Sequence, residues 1–273
     1  MTAALKLAVF GDPVEHSLSP GIHAEFGRQL GISLDYRRIR SSIDELPERL
    51  REFAANGGSG ANLTLPLKNA GIRVCQRIDP AARQARAVNT LKRCNEGWSG
   101  HNTDGPGLLA DLDRLGLAVE QRRVLIVGAG GATAGLLGPL LDRQPIEILL
   151  LNRTVERAVE LAERFAHRGP IRAAGLDDEG EAEDFDLLLQ ATSIGHQGQL
   201  PPIRLKWLAR QATVYDLNYG PAHQPLAIWA KAHDLPCHDG LGMLVGQAAL
   251  AFAIWTGQKP DIGKALEALS SLP

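Results

Sequence analysis

Arg123-Val124-Leu125-Ile126-Val127-Gly128-Ala129-Gly130-Gly131-Ala132-Thr133 carries the most informative local pattern in the chain. The apolar run Val124-Leu125-Ile126-Val127 suits a strand buried on both faces. The glycines that follow suit a tight strand-to-helix turn. Backbone amides in such a turn can approach a pyrophosphate, which then sits at the positive end of a helix predicted over 132–141. The sixth position is Thr133 rather than Gly or Ala, so the dinucleotide fingerprint is only partly met. A glycine-rich turn without a ligand is the plainer alternative.

Working outward, further strands are predicted at 146–151, 185–190 and 213–216, with helices at 107–115 and 155–166. That succession is a Rossmann-type unit with its phosphate turn after the first strand. The strand at 146–151 runs into Asn152-Arg153-Thr154, and Arg157 follows one helical turn later. NAD-binding units carry an acid here to hold the ribose hydroxyl, and that acid would repel a 2′-phosphate. Guanidinium groups instead bind such a phosphate through charge-assisted hydrogen bonds. Thr154 is also placed to cap the helix after it. Solvated surface charge is the bland reading of both arginines. The expected cofactor is NADP.

Upstream lies a second α/β unit. Strands are predicted at 6–10, 34–40 and 60–65, the last ended by Pro66. Between them fall a helix at 20–30, with Ser19 as its N-cap and Pro20 opening it, and a helix at 43–55. Leu46, Leu50 and Phe53 share one face of the second helix, and Asn56-Gly57-Gly58 stops it. This βαβ alternation predicts a largely parallel sheet. A long apolar helix at 241–255 and a shorter one at 262–269 end the chain. Apolar residues on most faces of the first mark it as buried, packing back on the first unit. The expected domains are 1–102 together with 241–273, and 103–240.

Bulk properties narrow the function classes. The chain has 273 residues, 44% hydrophobic and 22% charged, which suits a folded core rather than a disordered segment. A net charge of −2 gives no global field toward nucleic acid or membrane, so neither is an expected partner. Cys75, Cys94 and Cys237 are far apart with no CxxC pair, against both a disulfide framework and a cysteine zinc site. No apolar run approaches the ~20 residues of a membrane span, and the first residues do not read as a leader peptide. A cytoplasmic protein is expected, with the acidic stretch 177–184 as a solvated loop.

Polar clusters gather where strands end or helices begin in the first unit. They are His16-Ser17-Leu18-Ser19-Pro20, then Asn62-Leu63-Thr64-Leu65-Pro66-Leu67-Lys68, then Ala87-Val88-Asn89-Thr90 with Asn102-Thr103-Asp104-Gly105. Singly, each is ordinary loop composition. HExxH and GxSxG are absent, so metal-dependent and serine hydrolysis lack support, and no metal is expected.

Taken in order, these segments resemble the shikimate dehydrogenase family along nearly the whole chain. The ordered set continues through Gly128-Ala129-Gly130-Gly131-Ala132, Asn152-Arg153-Thr154 with Arg157, and Asp239-Gly240-Leu241-Gly242-Met243-Leu244 leading to Gln247. The resemblance implies an N-terminal substrate-binding domain, a Rossmann-type NADP-binding domain, and an active site in the cleft between them. It implies reversible hydride transfer between NADPH and the ketone of 3-dehydroshikimate, giving shikimate. By similarity Ser17 and Ser19 hold the substrate carboxylate; Thr64, Asn89, Asp104 and Gln247 hold the ring hydroxyls, with Tyr219 nearby. Lys68 and Asp104 form the catalytic pair. The cofactor lies against the glycine turn, residues 152–154, Arg157, Leu217 and Gly240.

The chemistry suits these residue types. Hydride arriving at a carbonyl carbon leaves negative charge on oxygen, which needs a cation or a proton. A lysine supplies both, and a carboxylate beside it orients it. Three positions depart from the family pattern: Arg86 in place of a glycine, Ala134 where a basic residue is frequent, and Leu217 for a methionine. Two alternatives remain open, a quinate/shikimate dehydrogenase using NAD and a non-catalytic metabolite-binding regulator. The expected assembly is a monomer or homodimer.

Overall fold

The computed structural model describes residues 4–177 and 184–270, so most of the expected acidic loop lies outside the described residues. Contacts divide the chain into two units, Met1–Gly107 with Leu244–Pro273, and Leu108–Met243. The first cut therefore falls inside a helix, a few residues beyond the polar junction at 102.

The first unit opens with strand β1 (Leu5–Gly11), helix α1 (Ser19–Leu30), β2 (Leu34–Arg40), α2 (Leu46–Ala55) and β3 (Gly58–Leu63). Short elements follow: α3 (Gly71–Val74), β4 (Arg77–Ile78), α4 (Pro80–Ala85), then β5 (Thr90–Cys94) and β6 (Gly97–His101). Helix α5 (Asp104–Leu115) carries the chain out of this unit. The sheet order is β2-β1-β3-β5-β6-β4. β1 lies parallel to β2 and β3, and β4 lies parallel to β6. β5 is antiparallel to both β3 and β6. The sheet is thus mixed, a correction to the largely parallel one expected. Its cause is the β5–β6 hairpin, in which Cys94 pairs with Gly97 across Asn95-Glu96 and Gly97 adopts φ 136°. A two-residue loop can join only antiparallel neighbours.

One face of this sheet packs Ala8, Phe10, Ala61, Leu63 and Leu91 against Leu46 and Leu50 of α2. The other is closed by Ile22 and Phe26 of α1 with Val245, Ala248 and Phe252 from helix α9 (Leu241–Thr256) and Ala265 from α10 (Ile262–Ser270). Each fully buried Phe or Leu contributes about 1.5–3 kcal/mol of transfer free energy. That explains an apolar α9 without a polar face.

The second unit runs β7 (Arg123–Val127), α6 (Gly131–Asp142), β8 (Glu147–Asn152), α7 (Val155–Phe165), β9 (Ile171–Gly175) and β10 (Phe185–Gln190). It ends with β11 (Leu208–Asp216), α8 (Gln224–Ala232) and β12 (Cys237–His238). All pairings are parallel, in the order β12-β11-β10-β7-β8-β9. Counted within the unit this is 3-2-1-4-5-6, the dinucleotide-binding order, and its switch point lies between β7 and β10. Leu125, Val127, Leu149, Leu151, Leu188 and Val214 fill the core. The short strands β9 and β12 carry no strong apolar run, so no local pattern marks them in the sequence.

Candidate active site

Lys68 lies a few residues past β3, on a turn held at both ends. Its carbonyl accepts from Val88 N–H at 2.8 Å, tying it to the 87–90 segment, and Leu67 N–H donates to Thr64 O at 2.7 Å. Asp104 opens α5, where the helix N-terminus favours negative charge. Its N–H donates to Asn102 Oδ1 (3.0 Å), and Asn102 Nδ2 donates to Ala87 O (2.9 Å). Both partners are therefore pinned to the same segment. Lys68 Nζ donates to Asp104 Oδ2 at 2.5 Å, with side chains only 16% and 5% exposed. A pair this dry is held by its surroundings, because two charges leave water at a cost that needs good geometry to offset it.

The surroundings are amides and hydroxyls. Asn89 Nδ2 donates to Asp104 Oδ1 (2.8 Å), Thr103 Oγ1 (2.9 Å) and Gln247 Oε1 (3.3 Å). Asn89 Oδ1 accepts from Thr103 N–H (2.9 Å) and Thr90 Oγ1 (3.0 Å). Gln247 reaches this cluster from α9, its own Nε2 donating to Leu244 O at 2.9 Å. Four of the expected residues, Lys68, Asn89, Asp104 and Gln247, thus form one network within the first unit. Thr103 and Thr90 belong to it as well, and so does Asn62, whose Nδ2 donates to Asn89 O and Thr90 Oγ1 at 3.2 Å each. Tyr36 extends the chain by donating to Asn62 Oδ1 at 2.7 Å. The motif Asn62-Leu63-Thr64 hinted at Asn62; nothing in the composition of β2 singled out Tyr36.

The serine pair departs from expectation in one respect. Helix α1 begins at Ser19 with Leu18 at the cap position and no side-chain cap, so Ser19 is not the N-cap. The reason is local: Ser17 Oγ accepts from Ser19 N–H (3.3 Å) and donates to Ser19 Oγ (3.1 Å). The two hydroxyls are side by side. Arg38 Nη2 donates to Ser17 O at 2.7 Å and steadies the segment. Thr64 packs its methyl toward Gly11, and among the described residues its hydroxyl has no hydrogen-bond partner. Tyr219 lies in the second unit, half-buried, with burial pushing its phenol up.

In the second unit Gly128 has φ 112°, and a Cβ there would stand 3.0 Å from Ala191 C. Backbone and packing both demand glycine at that position. Gly130 is different. Its φ of −97° suits any residue, and a Cβ would meet no protein atom within 4 Å. Neither packing nor backbone conformation requires glycine there, and its bare backbone leaves room for a phosphate to approach. Ala129 N–H is turned to Asn152 Oδ1 (3.2 Å), and Asn152 Nδ2 donates to Thr154 O (2.8 Å). Asn152 therefore braces the turn from β8. The amides opening α6 remain for an anion. Thr133, the irregular sixth position, is fully buried and donates to Gly128 O at 2.8 Å, so it locks the turn.

Arg153 and Arg157 are exposed, with no ion-pair partner among the described residues. Nearby Arg164, Arg168 and Arg172 are all paired with carboxylates. Two unpaired guanidiniums at the start of α7 sit against the helix dipole unless an anion joins them. Thr154 occupies the cap position of α7 but makes no side-chain cap bond, contrary to expectation. Leu217 is half-buried, and a Cβ on Gly240 would collide with Leu217 O. Gly240 is thus required by packing against the Leu217 loop. Among the described residues no group of His, Cys, Asp or Glu is placed to hold a metal ion.

Three family models match in chain order: a shikimate dehydrogenase substrate binding domain over residues 9–91, shikimate/quinate 5-dehydrogenase over 112–198, and a shikimate 5′-dehydrogenase C-terminal domain over 240–269. The shikimate dehydrogenase (NADP(+)) of Xylella fastidiosa strain Temecula1 is 45% identical, covering 94% of this chain and 92% of its own. That of Xanthomonas campestris pv. campestris strain 8004 is 44% identical over 97% of this chain and 95% of its own. The chain belongs to the shikimate dehydrogenase family. Its fold matches the crystal structure of shikimate 5-dehydrogenase from Thermus thermophilus in complex with NADP(H) and shikimate, with a TM-score of 0.87 and 35% identity over 97% and 98% of the two chains.

Against the shikimate dehydrogenase pattern, the three departures have physical readings. Arg86 closes α4 with φ 51°, the left-handed conformation that a glycine adopts freely and a side chain strains to reach. Ala134 is buried inside α6, so a charged side chain at that position would have to leave the core of the unit. Leu217 replaces methionine at nearly constant volume.

Proposed function

We propose that the protein is an NADP-dependent shikimate dehydrogenase, an oxidoreductase interconverting 3-dehydroshikimate and shikimate on the way to aromatic amino acids. The observation that carries this is the dry Lys68–Asp104 pair inside a ring of amides and hydroxyls. Bound NADPH supplies the hydride that reduces the ring ketone. Lys68, as an ammonium, stabilises the oxygen on which charge develops and delivers its proton there. In the oxidative direction the neutral amine takes the hydroxyl proton. Asp104 accepts from the lysine and aims it. Its backbone anchor and the Asn89 amide keep it from turning away.

Asn89, Thr64, Asp104 and Gln247 serve the ring hydroxyls, the adjacent Ser17 and Ser19 hydroxyls serve the carboxylate, and Tyr219 is a further proposed substrate residue. Residues 1–102 with 241–273 act as the substrate-binding domain and 103–240 as the cofactor domain. The turn residues 128–132, Asn152, Arg153, Thr154, Arg157, Leu217 and Gly240 hold the cofactor. Support for the 2′-phosphate comes from the two unpaired arginines, and for the pyrophosphate from Gly130. The proposed setting is the cytoplasm, with the enzyme acting as monomer or homodimer; no described helix is long and apolar enough to cross a membrane.

Steady-state oxidation of shikimate and of quinate, each with NADP and with NAD, tests the proposal. Shikimate with NADP is expected to give the highest kcat/KM. Preference for quinate with NAD would replace this reading with the alternative, and binding without turnover would mark a regulator.

A further inference from the structure

Asp216, His223 and Cys237 converge in the second unit beside the Leu217–Tyr219 loop, and none of the three is itself assigned to substrate or cofactor. Asp216 ends β11, is 1% exposed, and is held by Asn218, whose N–H and Nδ2 both donate to Asp216 Oδ1 at 3.0 Å. Its other oxygen, Oδ2, lies 3.1 Å from His223 Nδ1. On the far side of the imidazole, His223 Nε2 lies 4.0 Å from Cys237 Sγ. Cys237 sits on β12, placed by its pairing with Val214 of β11. This is a carboxylate–imidazole–thiol line in which the acid orients the ring and the ring faces sulfur. Cys237 is partly exposed.

We propose that Cys237 is a modification site, its sulfur facing the imidazole that Asp216 orients, and that it takes soft electrophiles and peroxides. The chemistry balances within the cluster. Toward an alkyl halide the sulfur lone pair forms a C–S bond as the carbon–halogen bond breaks and halide leaves. Toward hydrogen peroxide sulfur gains an S–O bond as the O–O bond breaks. The thiolate becomes a sulfenic acid, peroxide is reduced, and the departing hydroxide takes the His223 proton to become water. The bond to Asp216, with Cys237 adding to it, pushes the His223 pKa up to about 10, in line with the geometry. The other cysteines supply an internal contrast. Burial pushes the Cys75 thiol up to about 12, which makes it inert. The proposal does not depend on the dehydrogenase reading, since none of the three residues is assigned to that reaction.

The test is limited alkylation of the full-length protein with iodoacetamide at several pH values, each cysteine followed by peptide mass spectrometry. At roughly pH 7 Cys237 is expected to react at least about ten-fold faster than Cys75 or Cys94. In His223→Gln that advantage disappears. Dimedone trapping after dilute peroxide is expected on Cys237 alone. Equal rates for the three cysteines in the unsubstituted protein would overturn the proposal without reliance on any variant. So would a fast Cys237 in folded His223→Gln.

Discussion

In the proposed reaction Lys68 and Asp104 are the ion pair that carries chemistry, and their burial sets them apart from the pairs on the surface. Arg28–Glu25 and Arg77–Glu96 have exposed arginines and contribute little. Lys68 is instead closed in by the groups that fix Asp104, so its proton goes where the pair is aimed. Replacing Lys68 with Ala is expected to lower turnover about 10²–10⁴-fold, the range for a lost general acid–base group. Removing Lys68 also leaves the buried Asp104 carboxylate without its cation, so urea unfolding should show lower stability and turnover is read on the folded variant. Near-normal NADP reduction in that variant would remove Lys68 from the reaction. The two arginines proposed to hold the cofactor allow an equally local check. Arg153→Asp places a carboxylate where a 2′-phosphate would lie, so it should weaken NADP much more than NAD. Matched losses for both cofactors, read as KM ratios, would dismiss the phosphate contact.

At the scale of elements, the β7–α6 turn separates what the fold needs from what a ligand needs. Gly128 answers to backbone strain and to Ala191, and Thr133 ties the helix to the turn. Gly130 answers to neither, so Gly130→Val should leave the thermal midpoint nearly unchanged while raising the KM for NADP about ten-fold or more. That rise corresponds to the loss of roughly 1.4 kcal/mol of binding. A variant that unfolds, or one that binds NADP normally, would show that glycine serves packing there after all. The first unit teaches the complementary lesson. β5 and β6 form a hairpin from Thr-Leu-Lys-Arg-Cys and Gly-Trp-Ser-Gly-His around Asn95-Glu96, and their pairing turns a parallel sheet into a mixed one. The same hairpin presents Asn89 and Thr90 to Asp104 and Thr103, so the element missed in the sequence is one that builds the site.

For the molecule as a whole, two histidines pull stability in opposite directions with pH. His23 is stacked on Tyr36 at 4.5 Å and packed beside Phe26, Phe252 and Trp255, and neither ring nitrogen has a hydrogen-bond partner. Burial lowers its pKa from 6.5 to about 3. Below about pH 6.5 the unfolded chain binds a proton there that the folded chain refuses, so stability falls as pH drops toward 3. His223 is raised to about 10, so its contribution is fully present below about 6.5 and is lost as pH climbs through 10. Removing the acid-side term with His23→Leu should make the loss of unfolding free energy between pH 7 and pH 5 smaller by roughly 1–2 kcal/mol. Urea titrations at the two pH values measure it, and an unchanged slope would mean that His23 takes up its proton in the folded state.

The run from Arg123 to Thr133 and the strand end at Asn152 and Arg153 were legible in the chain because local rules govern them. A buried parallel strand is apolar throughout, a phosphate turn needs glycine, and the charge after the second strand selects the ribose. The Lys68 and Asp104 motifs were legible only by resemblance, since a lysine after a proline has no local signature. What the tertiary structure decided is the rest: the β5–β6 hairpin, the arrival of Gln247 on α9, and the meeting of Tyr36 with Asn62. The last two of those contacts join residues 158 and 26 positions apart. Hydrophobic burial, which is not directional, brings such segments together, and only then do their polar groups find the partners that burial obliges them to have.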